Sequence, residues 1–185
     1  MKVCILNFSG REYGNCKHIA DFINEKFIGN EVIQFDFNNL NITPCGKCKA
    51  ECFKNRVYCP YLSDKVYNIY DSVTNSDCAY FIVPNYCDYP CANFFIFNER
   101  SQCYFQGRED LLEKYLKIPK SFIVVSNTEK LNFLKAFEYQ CEEGKTPNIL
   151  FLSAKKYCKV SIDGDITESN EALSEIVKFI NNKKV

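Results

Sequence analysis

Cys45, Cys48, Cys52 and Cys59 form a C-x2-C-x3-C-x6-C pattern bracketed by Pro44 and Pro60. Thiolates this close in sequence can converge on one metal centre, since four of them ligate an iron–sulfur cluster or a structural zinc ion. Metal binding would also order the segment that carries them, because it offsets the entropy of closing several loops. Without a metal they are free thiols. A second constellation is Ser9-Gly10-Arg11-Glu12-Tyr13-Gly14-Asn15-Cys16, placed between the apolar run 2–7 and a helical pattern. A strand-to-helix turn of this kind offers an anion the N–H groups and positive dipole end of the helix. Ser9, Arg11 and Asn15 can add side-chain donors, and Gly10 and Gly14 permit close backbone approach. The bland alternative is a helix cap with no ligand. Neither G-x-G-x-x-G nor the Gly-Lys-Ser/Thr ending of a Walker A loop is present.

Alternating elements must position these groups. Residues 2–7, 31–37, 78–83 and 121–125 read as strands, and a fifth covers 149–152 and 156–161. Helical periodicity follows the first loop, with Ile19, Ala20, Ile23 and Phe27 on one face. It recurs at 64–74, where Val66, Ile69, Tyr70 and Val73 share a face and Ser63 is the expected N-cap. Part of 92–116, then 129–141 and 168–181, complete the helices. The expected fold class is α/β: a five-stranded parallel sheet with helices on both faces, in one domain spanning 1–185. Residues 38–62 show no period, and loops that long in a compact domain are usually functional or disordered; this one carries the four cysteines.

Composition narrows the function. Basic and acidic residues balance at 23 each, which argues against a nucleic-acid binder. No apolar run reaches the length of a membrane span, and the N-terminus turns polar too soon for a secretory signal. The expected location is therefore cytoplasmic, where the 12 cysteines would be reduced thiols or metal ligands. Sixteen Phe and 12 Tyr suggest a well-filled core and a stacking surface for a planar ligand. Cys16, at a helix start, is either a small tolerated residue or a thiol made reactive by that position. His18, the only histidine, is not expected to act as a catalytic acid or base.

The 9–16 loop resembles the Gly-Ser-Pro-Arg-x-x-Gly-Asn-Thr loop of the NADPH-dependent FMN reductase family. Ser9, Arg11, Gly14 and Asn15 match; Phe8, Gly10 and Cys16 depart. Pro84-Asn85-Tyr86-Cys87-Asp88-Tyr89-Pro90-Cys91-Ala92 is similar to the segment that flanks the flavin ring in that family, and Glu99-Arg100 to an Asp-Arg pair beyond it. The resemblance implies a flavodoxin-like sheet of order 2-1-3-4-5, with FMN in the crevice between strands 1 and 3. It places the phosphate on Ser9, Arg11, Gly14, Asn15 and Cys16. The ring lies against Pro84, Asn85, Tyr86, Cys87 and Asp88, with Ser126 and Asn127 bordering the cleft. It also implies an oxidoreductase with NAD(P)H as transient electron donor, a small-molecule or protein redox partner, and a homodimer or homotetramer. The cysteine-rich insertion resembles that of the iron–sulfur flavoprotein branch, which implies a [4Fe–4S] cluster on Cys45, Cys48, Cys52 and Cys59. The alternatives are an electron carrier without enzymatic activity, or a zinc or thiol redox sensor on the same fold.

Overall fold

The computed structural model describes residues 1–46, 48–55, 59–128 and 134–182. Strand β1 (Lys2–Asn7) lies inside a parallel sheet, hydrogen-bonded on one side to β2 (Glu31–Asp36) and on the other to β3 (Cys78–Tyr86). β3 pairs in turn with β5 (Lys120–Ser126), and β5 with β6 (Asn148–Ser153). A two-residue strand, β4 (Tyr89–Pro90), folds back antiparallel on the end of β3. The order β2-β1-β3-β5-β6 is the expected 2-1-3-4-5 when the parallel strands are numbered alone.

Strand alternation divides the core. Val3 and Ile5 join the layer beneath α1 (Asn15–Lys26) and α6 (Asn170–Asn181), with Ile19, Ala20, Ile23, Ile176 and Ile180. Cys4 and Leu6 join the opposite layer, beneath α2 (Val66–Thr74) and α3 (Ala92–Phe105). That second layer is aromatic: Phe8, Phe81, Phe94, Phe97 and Tyr70 are fully buried, and the Tyr70 ring stacks on Phe97 at 4.3 Å. The period read at 64–74 is borne out, since Val66, Ile69, Tyr70 and Val73 are all buried. Ser63 is not the cap. The helix starts after Lys65, and Asp64 Oδ1, one residue earlier, accepts the Val66 N–H at 3.1 Å.

The stretch 92–116 is helical in part, as expected: Gly107, at φ +68°, separates α3 from α4 (Glu109–Lys117). Two other boundaries differ from expectation. Residues 156–161 do not continue the last strand: a 3-10 turn covers Ala154–Tyr157 and Cys158 adopts φ 56°. The helix expected at 129–141 is described as α5 (Leu134–Glu138), and 129–133 lie outside the described residues.

Arg100 fixes the cysteine-rich segment. Its side chain is fully buried in α3 and pairs with Asp64, to which Nη1 donates a short hydrogen bond. Nη1 also donates to the Thr43 carbonyl at 2.8 Å, and Nη2 to the Tyr61 carbonyl at 3.2 Å. The neighbouring Glu99 carboxylate accepts from the Cys45 N–H at 2.8 Å. The Glu99-Arg100 pair thus anchors Thr43, Cys45, Tyr61 and Asp64.

Candidate functional site

The β1 and β3 ends meet where the strand order reverses, the place at which sheets of this kind bind ligands. Phe8 N–H still donates to Ile82 O at 3.0 Å, so the two chains leave the sheet side by side. The loop after β1 is built by short polar bonds. Asn7, fully buried, donates from Nδ2 to Asp36 Oδ1 at 2.9 Å and accepts the Ser9 N–H on Oδ1 at 3.1 Å. Ser9 Oγ accepts the Arg11 N–H at 3.1 Å. Gly14 then turns the chain into α1 at φ 139°, a conformation that L side chains rarely adopt.

The sequence-predicted residues come together here. Ser9, Arg11, Gly14, Asn15, Cys16, Pro84, Asn85 and Tyr86 line a single cavity of about 50 Å³, with Val125 and Ser161. The α1 N-terminus opens on it, and as in any helix its first N–H groups have no intrahelical carbonyl. Cys87, Asp88, Ser126 and Asn127 do not line the cavity. Cys87 and Asp88, at φ 53° and 66°, form the turn between β3 and β4. Ser126 Oγ accepts from Asn85 Nδ2 at 3.0 Å and so sets the Asn85 side chain at the cavity wall.

Asn15 lines the cavity and also ties it to a segment distant in sequence. Its amide is buried and committed to the 161–166 segment: Nδ2 donates to Ser161 O at 2.9 Å and Oδ1 accepts the Ile166 N–H at 2.7 Å. Asn127 Oδ1 accepts the Ser161 N–H at 2.7 Å, and His18 Nδ1 lies 2.6 Å from Gly164 O. Gly164 packs so closely that a Cβ there would stand 3.1 Å from Gly14 Cα. The segment 158–166 therefore forms a wall of the site. Sequence reading missed Ser161 and Val125; Gly164 was the available signal, because close backbone approach favours glycine. Burial pushes the Cys16 thiol up and Cys91 up to about 11. Cys16 is thus a small buried residue, and burial outweighs the helix end that would have lowered it.

The four-cysteine motif does not assemble as expected. Cys52 and Cys59 are buried, but they pack with Cys103 of α3, and Tyr61 and Tyr67 close over them. Cys45 and Cys48 are half-buried beside them. Among the described residues no group of three or more His, Cys, Asp or Glu side chains is placed to hold a metal ion. The thiols do not fit a four-thiolate cluster in this arrangement.

No family model matches the chain, and no curated protein matches it. Solved structures do. A flavone reductase superposes with a TM-score of 0.63 at 15% identity over 98% of this chain, which spans 61% of that protein. An apo NADH:FMN oxidoreductase gives 0.54 at 9% identity, covering 96% and 87% of the two chains. FerB from Paracoccus denitrificans, a flavoenzyme NAD(P)H:(acceptor) oxidoreductase, gives 0.52 at 14% identity over 97% and 95%. The chain has a flavodoxin-like fold. Among the described residues no helix is long and apolar enough to cross a membrane.

Proposed function

We propose that this chain binds FMN between the β1 and β3 loops and acts as an NAD(P)H-dependent oxidoreductase. The observation that carries the reading is the convergence of two sequence-distant loops, Ser9–Cys16 and Pro84–Tyr86, on one cavity at the strand-order reversal. The residues present suit a phosphorylated planar ligand. Arg11 supplies positive charge, Ser9 a hydroxyl and Gly14 an unobstructed helix start, while Tyr86, Tyr89 and Tyr13 expose rings on the framing loops. FMN, when bound, supplies the hydride and electron transfer chemistry, so the protein need not provide an acid or base. The chain's own residues bind and orient. The α1 N-terminus and Arg11 would hold the anionic end, and Pro84 and Asn85 would place the ring edge, with Asn85 fixed by Ser126. The printed names of two superposed structures, a flavoenzyme NAD(P)H:(acceptor) oxidoreductase and an NADH:FMN oxidoreductase, support the same class.

A cytoplasmic location, a homodimeric or homotetrameric assembly and a small-molecule or protein acceptor belong to this proposal. The structure adds no support for the [4Fe–4S] cluster: among the described residues no group of three or more His, Cys, Asp or Glu side chains is placed to hold a metal ion. The test is FMN titration of the purified protein, followed by NADH and NADPH oxidation with flavin bound. Stoichiometric binding with turnover supports the reductase. Binding without turnover makes the protein an electron carrier, and failure to bind removes the reading.

A further inference from the structure

Cys103 matched no expected site, yet it is where the cysteine-rich segment makes thiol contact. It lies in α3, 1% exposed, with its Sγ donating to Arg100 O at 3.1 Å and accepting from Arg100 Nε at 3.5 Å. Cys59, 7% exposed and far away in sequence, packs into the same small buried cluster. Cys52 packs on both. The Tyr67 hydroxyl donates to Cys103 O at 3.1 Å and helps hold the helix end in place. A single buried cysteine is usually a small hydrophobe. Two in contact from different elements, with a third beside them and a guanidinium against one sulfur, form a dithiol built for exchange.

We propose that Cys59 and Cys103 are a reversible dithiol–disulfide site, whose oxidant is a low-molecular-weight disulfide. Burial raises the Cys59 thiol as it does that of Cys16, so exchange runs through its minor thiolate; that thiolate attacks one sulfur of the oxidant, a protein–small-molecule S–S bond forms and one thiol leaves. Cys103 then attacks the Cys59 sulfur, the protein S–S bond closes and the second thiol leaves. In all, two protein thiols lose two electrons and two protons, and the disulfide is reduced to two thiols. The Arg100 guanidinium stands where negative charge develops on the Cys103 sulfur during exchange. The product ties the 43–64 segment covalently to the helix that already anchors it through Arg100. The site does not depend on FMN binding.

The experiment incubates the purified full-length protein, with and without added FMN, with oxidised glutathione. Free thiols are then counted and disulfide-linked peptides mapped by mass spectrometry. The expected result is loss of two thiols per chain, a Cys59–Cys103 cross-link as the main product, and full reversal by dithiothreitol. Cys103→Ser should leave Cys59 carrying glutathione instead, and Cys59→Ser should suppress modification of Cys103. No thiol loss, a main product joining other cysteines, or iron and acid-labile sulfide bound to Cys59 would each overturn the assignment. Because thiol counting is independent of the flavin titration, failure here and failure of the FMN reading are read separately.

Discussion

Replacing Arg100 with leucine should destabilise the fold strongly. The side chain is fully buried and meets three partners on the segment it anchors: the Asp64 carboxylate and the carbonyls of Thr43 and Tyr61. Leucine leaves the Asp64 carboxylate, itself 10% exposed, without its counter-charge and two carbonyls without a donor. Breaking a buried pair from one side costs about 3–5 kcal/mol, a range that already includes most of the unmet-acceptor penalty. With a urea slope of about 2 kcal/mol/M, the midpoint should fall by roughly 1.5–2.5 M. Urea unfolding followed by circular dichroism and tyrosine emission is suited to a chain without tryptophan. The Arg100→Leu/Asp64→Leu double variant should recover part of the loss, since removing both charges leaves no stranded ion. Arg100→Lys should fall between, because an ammonium keeps the charge but loses the planar fork. A cost under about 1 kcal/mol for Arg100→Leu, or strictly additive costs in the double variant, would refute the anchor.

Other predictions concern the backbone, the pH dependence and the loop wall. Cys87→Asn should raise stability by up to about 1 kcal/mol, because Cys87 holds a left-handed turn position that asparagine tolerates better; a lower calorimetric Tm would contradict this. Gly164→Ala should lose roughly 1–2 kcal/mol, since Gly164 sits at φ +77° and its new Cβ would stand 3.1 Å from Gly14 Cα, and FMN affinity should fall with it. Burial lowers Lys120 to about 7, although its ammonium donates to Ile118 O at 3.1 Å. The unfolded chain then binds more protons than the folded one above neutrality, so stability should rise from pH 7 towards 8.5. Beyond that the buried thiols Cys4 and Cys91, raised to about 12 and 11, reverse the trend as their unfolded counterparts ionise. Lys120→Met should abolish the rise in pH-dependent urea midpoints, and an unchanged slope would assign it to another group.

The sheet was legible because its signals are local. Val3 to Leu6 are continuously apolar, as a strand buried on both faces must be, and the spacing of Val66, Ile69, Tyr70 and Val73 matches one helix face. The anion loop was legible for the same reason, since Ser9, Gly14 and the start of α1 are neighbours in sequence. What escaped depends on partners distant in the chain. Asn15 looked like a donor to a ligand, yet its amide is taken by backbone groups at Ser161 and Ile166, which no local pattern reveals. Cys45 to Cys59 looked self-sufficient, but burial selected Cys52 and Cys59 and supplied Cys103 from α3. Ser63 does not cap the helix; Asp64, paired with the buried Arg100, accepts the Val66 N–H instead. The break at Gly107 was visible in the sequence as a glycine between two helical stretches.

The measurement that tests the central claim most directly is an FMN titration of the wild-type protein beside Arg11→Glu, followed by flavin fluorescence. Arg11 is exposed at the cavity rim, so its replacement should leave the fold intact by circular dichroism. One FMN per chain is predicted for the wild type, with affinity weakened at least tenfold, about 1.4 kcal/mol or more, in the variant. No binding to the wild type, or equal binding to both, would contradict an FMN site on the β1 loop.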